Sequence, residues 1–171
     1  NVHEVISPRS FEEIYQVIRG VGKSVNQFEK SEKLIHKMKE RLETIVAKAS
    51  ILDHSPSIYV EIDLPRCTIG KQSFITEALL VSGAHNRFED VNRRSFQASK
   101  EVIVARDPDV ILAYTVTASS IRQRLGWDGI KAIRESRVID DLEWSLLSHG
   151  NHRLLEGMEQ LQARILDMME T

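Results

Sequence analysis

Residues 110–114 have the sequence VILAY, an unbroken apolar run that begins two residues after Pro108. Such a run is typical of a strand that is buried on both faces inside a parallel sheet. Residues 58–62, IYVEI, have the same β-branched and aromatic character and lie between two prolines, and residues 137–139 predict a third strand. Parallel strands need crossover connections, so helices are expected between them.

The segments between these strands carry helix start and stop signals. Ser73 precedes an apolar helix that Gly83 closes, and Ser99 precedes a short helix that ends near Arg106. Further helices are predicted at about 118–125, 130–134 and 153–169, with a polar segment at 84–98 and a polar loop at 140–152. The sequence therefore predicts an α/β fold, a Rossmann-like lobe whose mostly parallel sheet is flanked by helices on both faces.

Two helices are predicted before the first strand. Ser10 and Glu13 fit a capping box for a short helix that Gly20 and Gly22 interrupt. A long helix is predicted over 26–50, with Asn26 as its cap and a length of roughly 36 Å. One face of the long helix carries an apolar stripe: Phe28, Ile35, Met38, Leu42, Ile45, Val46 and Ala49.

Composition excludes several classes of protein. The 171 residues hold 23 Lys and Arg against 25 Asp and Glu, a net charge of -2, which argues against a general nucleic-acid binder. No run of about 18 apolar residues is present, so no membrane-spanning helix is predicted. Cys67 is the only cysteine, which excludes an internal disulfide and a cysteine-rich zinc site. The start at Asn1, without Met or leader, predicts a processed protein or part of a longer one.

The order of several short segments carries a family resemblance. After the long helix come GKQSFI at 70–75, SGAHN at 82–86, SKEVI at 99–103 and DPDVI at 107–111, and later RLLEGME at 153–159. This order resembles the C-terminal half of class III substrate-binding proteins of ABC importers, the helical-backbone group that binds iron-siderophores, haem and cobalamin.

The resemblance implies two α/β lobes joined by one rigid helix, with a metal chelate held between them and delivered to ABC permease subunits. Residues 1–25 are then the tail of the N-terminal lobe, 26–50 the inter-lobe backbone helix, and 51–171 the C-terminal lobe. The implied location is extracytoplasmic, either periplasmic or lipid-anchored at the cell surface. No chemistry and no cofactor are implied.

Glu101 is the residue that the resemblance assigns to permease docking. In the family a glutamate at this point of the C-terminal lobe lies on the outer surface and pairs with permease arginines, a geometry that gives orientation as well as attraction. Alternatively, Glu101 is an acidic residue of the first helical turn that interacts with the helix N-terminus. The two roles are compatible.

Ligand-binding residues are expected on the loops at the carboxyl ends of the strands, where open α/β sheets hold ligands. These loops are 64–71, 92–97, 115–119 and 143–152. Arg66, Arg93 and Arg94 put positive charge on two of them, which suits an anionic chelate such as a catecholate or carboxylate siderophore or the haem propionates. The alternative is that these arginines are solvated loop residues.

The aromatic and histidine residues on these loops determine the order in which the possible ligands are expected. Trp144 is predicted to stack on a ring, and His149, with His152, is a possible axial ligand for haem. Corrinoid-binding members carry further aromatics where this chain has Cys67 and Ser95, with only Phe96 nearby, which weakens cobalamin. A ferric siderophore is therefore the first expectation, haem the second and cobalamin the third.

Two other classes of protein remain as alternatives to a transport protein. A self-standing α/β interaction domain would dimerise through the stripe from Phe28 to Ala49, and apolar surface on residues 11–50 would favour a dimer of this chain. An enzyme would need a base for a Cys67 thiolate beside Arg66, and no spacing supplies one. Only His149 and His152 are close together among the histidines, so no metal site is predicted.

Overall fold

The computed structural model describes Pro8, residues 10–148 and residues 153–169. Its elements are α1 (Phe11–Ser24), α2 (Phe28–Ala49), β1 (Ser57–Glu61), β2 (Cys67–Ile69), α3 (Phe74–Val81), β3 (His85–Asn86), β4 (Ser95–Gln97), α4 (Lys100–Arg106), β5 (Val110–Ala113), α5 (Ala118–Arg122), α6 (Lys131–Arg134), β6 (Val138–Ile139), α7 (Trp144–Ser148) and α8 (Leu154–Met169).

The main sheet has four strands in the order β3-β1-β5-β6, and every pairing is parallel. Strands β1 and β5 are buried along their whole length, as their apolar sequences predict. They pair from Ile58 opposite Val110 to Glu61 opposite Ala113. The register aligns the carboxyl ends of the two central strands at one edge of the sheet.

Helices cover both faces of this sheet. Alternate side chains of β1 point to opposite faces, so that Val60 joins a core with α1, α2, α3 and α8, and Tyr59 joins a second core with α4 and α5. Leu79 of α3 and Leu161 of α8 lie in the first core, and Ile103 of α4 lies in the second. The predicted α/β class with helices on both faces is confirmed.

The sequence predicts that Gly20 and Gly22 interrupt the first helix, but the helix continues through both glycines. α1 continues to Ser24, and Gly22 lies at its contact with α2, where an added Cβ would stand 2.6 Å from Ser31 Cβ. Gly22 therefore permits the close approach of two helices instead of ending one. The expected cap at Asn26 is also wrong, because α2 begins at Phe28 after Gln27, whose side chain makes no capping bond.

The apolar stripe of α2 is narrower than predicted. Ile35, Met38 and Ile45 are buried in the first core, whereas Phe28 and Val46 are about half exposed. Gln162 of α8 is buried and donates from Nε2 to the carbonyl of Ile45 at 2.7 Å. The long helix, 22 residues or roughly 33 Å, thus packs on the same core as the lobe. The domain boundaries at residues 25 and 50 stay predictions.

Two polar segments for which no strand or helix was predicted contain regular structure. Residues 84–98 include β3 and β4, and α7 begins at Trp144 within the predicted loop 140–152. β4 pairs antiparallel with β2, with Thr68 opposite Phe96, and forms a two-stranded ribbon apart from the main sheet. Each ribbon strand has three residues, too few to show an alternating pattern, and its partner is distant in sequence.

Asp109 joins β1 to the helical layer at the amino end of the sheet. Its Oδ2 accepts from Ser57 N at 2.9 Å and Ser57 Oγ at 2.7 Å, and its Oδ1 accepts from Lys131 Nζ at 2.7 Å. Burial opposes ionisation of the carboxyl, but these donors outweigh it and lower the pKa of Asp109 to about 2.

Asp109→Asn is expected to lower the free energy of unfolding at pH 7 by about 1 to 2 kcal/mol, allowing for partial solvent screening. A folded-state pKa below the unfolded value means that this stability is present above about pH 4 and is lost as the pH falls toward 2. Urea unfolding at pH 7 and pH 3 measures the difference between wild type and variant, which should shrink at the lower pH. Asp141→Asn, in an exposed pair with Arg164, is the control and should cost under about 0.5 kcal/mol. A pH-independent difference would contradict the prediction.

Candidate functional site

The carboxyl ends of β1, β5 and β6 form one edge of the sheet, called here the carboxyl edge, with loops at 62–66, 114–117 and 140–143. Hydrogen bonds join these loops to one another. Thr115 Oγ1 donates to the carbonyl of Asp63 at 3.0 Å, and Ala118 N donates to Asp140 Oδ2 at 2.6 Å. The edge is therefore a connected surface at the place where open α/β sheets bind ligands.

A buried ion pair lies beneath this edge. Glu61, the last residue of β1, has no exposed side-chain surface and receives both arms of the Arg124 guanidinium at 2.6 Å. Glu61 Oε2 also accepts from Tyr59 OH at 2.9 Å and from Arg66 N at 3.1 Å. One carboxylate thus fixes two loops, because Arg66 ends the first loop of the edge and Arg124 follows α5.

Aromatic rings enclose the charged pair. The Arg124 guanidinium lies 4.6 Å from the centre of the Trp127 ring, and the Tyr59 and Trp127 rings meet edge to face at 6.0 Å. Burial, followed by the Glu61 charge, raises the pKa of Tyr59, so its hydroxyl stays a donor at all physiological pH values. The pKa of Arg124 is raised by its hydrogen bond to Glu61.

Sequence reasoning missed both members of this pair. Glu61 lies inside a buried apolar run, and a charge at such a position is itself a signal, because a buried carboxylate requires a partner. Arg124 lies 63 residues further along the chain, so no local pattern connects the two residues.

The structure does not bring the three predicted ligand arginines together. Arg66 has a left-handed backbone with φ 64° and lies at one end of the ribbon, where its carbonyl accepts from Ala98 N at 2.9 Å. Arg93 and Arg94 are exposed at the other end, beside Gly70. The three residue pairs of the ribbon separate these ends by roughly 10 Å. Arginines at both ends would contact only a ligand that spans the ribbon.

The structure describes only one side chain among the aromatic and histidine residues that were predicted to bind the ligand. The Phe96 ring packs edge to face against Phe88 at 5.6 Å and is half-buried, so part of the ring is already in contact with the core. Trp144 is the first residue of α7, and its side chain lies outside the described part of the structure. His149 also lies outside the described residues. The ligand roles of all three residues stay predictions.

Glu101 is exposed in the first turn of α4, as expected from its sequence. Its own backbone N–H and the Ser99 side chain lower the pKa of its carboxyl, and the charges of Lys100 and Arg66 lower that pKa further. Glu101 is therefore an exposed, ionised carboxylate beside the carboxyl edge. This geometry is compatible both with a favourable position at the helix N-terminus and with docking to a cation on a partner.

Catalytic and metal chemistry find little support in the described residues. Burial raises the pKa of the Cys67 thiol, and the charges of Asp63 and Glu61 raise it further, which disfavours a reactive thiolate. The described part of the chain contains no group of three His, Cys, Asp or Glu residues placed to hold a metal ion. Its helices are also too short or too polar to cross a membrane.

The chain is similar to known proteins in sequence. A family model described as "Periplasmic binding protein" matches residues 1–143. The uncharacterized ABC transporter substrate-binding lipoprotein YvrC of Bacillus subtilis (strain 168) is 33% identical over 162 residues, which are 92% of this chain and 51% of that protein. The chain thus spans about half the length of this curated relative.

Solved structures show the same fold at lower identity. A possible iron-binding (periplasmic solute-binding) protein from Staphylococcus epidermidis ATCC 12228 superposes with a TM-score of 0.86 at 24% identity, over 96% of this chain and 66% of that one. The periplasmic vitamin B12 binding protein BtuF of Vibrio cholerae gives a TM-score of 0.82 at 17% identity, over 100% of this chain and 67% of that one. Both comparisons confirm the predicted α/β lobe.

Proposed function

Because the chain belongs to the periplasmic binding protein family, we propose that it forms one wall of the ligand cleft and one docking surface in a solute-binding component of an ABC importer. The family is one of binding proteins and not of enzymes. The observation that carries the proposal is the carboxyl edge, whose loops are fixed by the buried Glu61 and which has the ionised Glu101 beside it. A rigid wall of this kind loses little conformational freedom when it binds.

The proposed ligand is a metal chelate, with a ferric siderophore first, haem second and cobalamin third. Two proteins of the same fold, the possible iron-binding protein and the vitamin B12 binding protein, support this class of ligand. The exposed Arg93 and Arg94 and the half-buried Arg66 supply cations for an anionic chelate. Capture requires a second wall, since a cleft ligand divides its contacts between two surfaces.

The proposed partners and location follow from the same family. Glu101 is proposed to pair with an arginine of the ABC permease when the loaded protein docks. The lipoprotein among the relatives supports an extracytoplasmic location, periplasmic or lipid-anchored at the cell surface. The rival dimer through the stripe of α2 has less support, because Ile35, Met38 and Ile45 are already buried in this chain's own core.

A binding experiment on the full-length native protein tests the ligand proposal. Isothermal titration with ferrichrome, a ferric catecholate, haemin and cyanocobalamin should identify one class that binds. Arg66→Gln is expected to raise the Kd of an anionic chelate about tenfold, because it removes a charge-assisted contact. Arg122→Gln, an exposed arginine on α5, is the control and should leave the Kd unchanged.

The outcome can also contradict the proposal. If none of the four chelates binds the full-length protein, the assignment to a metal chelate is wrong. If a chelate binds and the Kd is insensitive to Arg66→Gln and to the double change of Arg93 and Arg94 to Gln, the arginines are solvated loop residues.

A further inference from the structure

Arg66 has a backbone conformation that its residue type disfavours. It is the third residue of the turn 64–67, in which Pro65 is the second residue and Cys67 N donates to the Leu64 carbonyl at 2.9 Å. The φ of Arg66 is 64°. A turn with proline second and a positive φ third is of type II, and its third position usually holds glycine. Arg66 thus lies where the backbone favours a residue without Cβ.

The other positive φ values belong to residues with short side chains. Apart from Arg66, the described non-glycine residues with a positive φ are Asn26, Asp63, Asp107 and Ser136. Asparagine and aspartate enter the left-handed region more easily than other residues, because their side chains bond locally. Arg66 is the residue of this group with a long side chain. Strain of this kind persists only where the surrounding structure imposes it, and it is frequent at functional sites.

Hydrogen bonds hold both backbone groups of Arg66. Its N–H donates to Glu61 Oε2 at 3.1 Å, and its carbonyl accepts from Ala98 N at 2.9 Å. The Glu61 side chain is fully buried and receives both arms of Arg124 and the Tyr59 hydroxyl, so it is not free to follow a change in the turn. Fixed partners on both sides of the Arg66 Cα therefore impose its conformation.

We propose that Glu61 is a positioning residue for ligand binding, which acts through the Arg66 N–H and fixes the direction in which the Arg66 side chain leaves the backbone. This inference rests on the proposed function, because it states how one of the proposed ligand cations is held. A guanidinium on a backbone that is already fixed loses less freedom on binding than one on a mobile loop.

A purely structural role for the buried pair does not explain the arginine in the turn. Only the main-chain N–H of residue 66 donates to Glu61, and a glycine at this position would supply the same donor. Glycine would also adopt the positive φ without the steric cost of a Cβ. The stability of the turn alone therefore favours glycine, and the presence of Arg66 indicates that its side chain is used.

A double-mutant cycle on the full-length native protein tests the proposal. The probes are two anionic chelates, a ferric catecholate and haemin, and isothermal titration measures the Kd of each. Glu61→Leu combined with Arg124→Met removes the acceptor of the Arg66 N–H and leaves no buried charge without a partner. These changes should raise the Kd of the chelate that binds about tenfold in the wild type and less than twofold in an Arg66→Gln background, where the contact is already lost.

Tyr59→Phe is the matched control for the change at Glu61. It removes a different donor to the same oxygen, Glu61 Oε2, and leaves both the Arg66 N–H and the ion pair in place, so the Kd should stay within about twofold of the wild-type value. Arg66→Gly measures the strain. It should melt about 2 °C above Arg66→Gln, because both variants lack the charge and only glycine relieves the positive φ.

The possible failures are distinguishable. If neither chelate binds the wild type, or if Arg66→Gln leaves the Kd unchanged, the proposed contact between Arg66 and an anionic ligand is wrong, and the inference falls with it. If Arg66→Gln weakens binding and the changes at Glu61 and Arg124 do not, only the inference about Glu61 is overturned. The same conclusion follows if the two effects multiply in the combined variant, because the buried pair would then act on the whole wall. An Arg66→Gly protein that melts at or below Arg66→Gln would show that the turn is unstrained, which also overturns the inference.

Discussion

Glu61→Gln is expected to lower the free energy of unfolding by about 3 to 5 kcal/mol, because it leaves the Arg124 guanidinium without its anion in a largely buried site. The amide keeps the size of the carboxyl group but cannot accept from both arms of Arg124 together with Tyr59 OH and Arg66 N. Urea unfolding at neutral pH measures the loss, and the melting temperature should fall by about 10 °C.

Two variants separate loss of the charge from loss of packing. Tyr59→Phe removes one donor to Glu61 and leaves the ion pair, so it should cost only about 1 kcal/mol. The double change Glu61→Leu with Arg124→Met removes both charges and should be markedly more stable than Glu61→Gln, because no buried charge lacks a partner. A Glu61→Gln protein within 0.5 kcal/mol of wild type would contradict the central role given to this pair.

The parts of the fold that were correctly predicted are those specified by neighbouring residues. Strands β1 and β5 follow from continuous apolar runs, and the starts of α3 and α4 follow from caps, where Ser73 and Ser99 accept from backbone N–H groups as their positions predict. In each case the physical cause lies within a few residues of its effect. Glu101 was placed correctly for the same reason, as a residue in the first turn of a capped helix.

The parts that were missed depend on residues that are distant in sequence. Gly22 has the sequence signal of a helix end, but its role is to allow the close approach of Ser31 on the next helix. Strands β2 and β4 form because they pair with each other across a long stretch of sequence. The length of this ribbon separates Arg66 from Arg93 and Arg94. The sequence places these arginines on two loops at the carboxyl ends of the strands, and no local signal indicates that a ribbon lies between the two loops.

Gly70→Ala is the second change with a large expected effect, and it tests the ribbon directly. An added Cβ would stand 2.5 Å from the carbonyl oxygens of both Arg93 and Val91. Both neighbours are backbone atoms, which cannot rotate away as a side chain can, so the turn that carries Arg93 and Arg94 must shift. The expected cost is about 2 to 3 kcal/mol.

The effect of Gly70→Ala should be local as well as global. Lys71 N donates to the Val91 carbonyl at 2.8 Å and Gln72 N to the Arg93 carbonyl at 3.1 Å, so both amides should exchange their hydrogens faster in the variant. Gly129→Ala, where an added Cβ meets nothing within 4 Å, is the control and should leave stability and exchange unchanged. Unaltered exchange at both amides, together with wild-type stability, would mean that the turn accommodates the methyl group. The arginine-bearing turn would then be flexible, and its arginines would not form part of a rigid ligand wall.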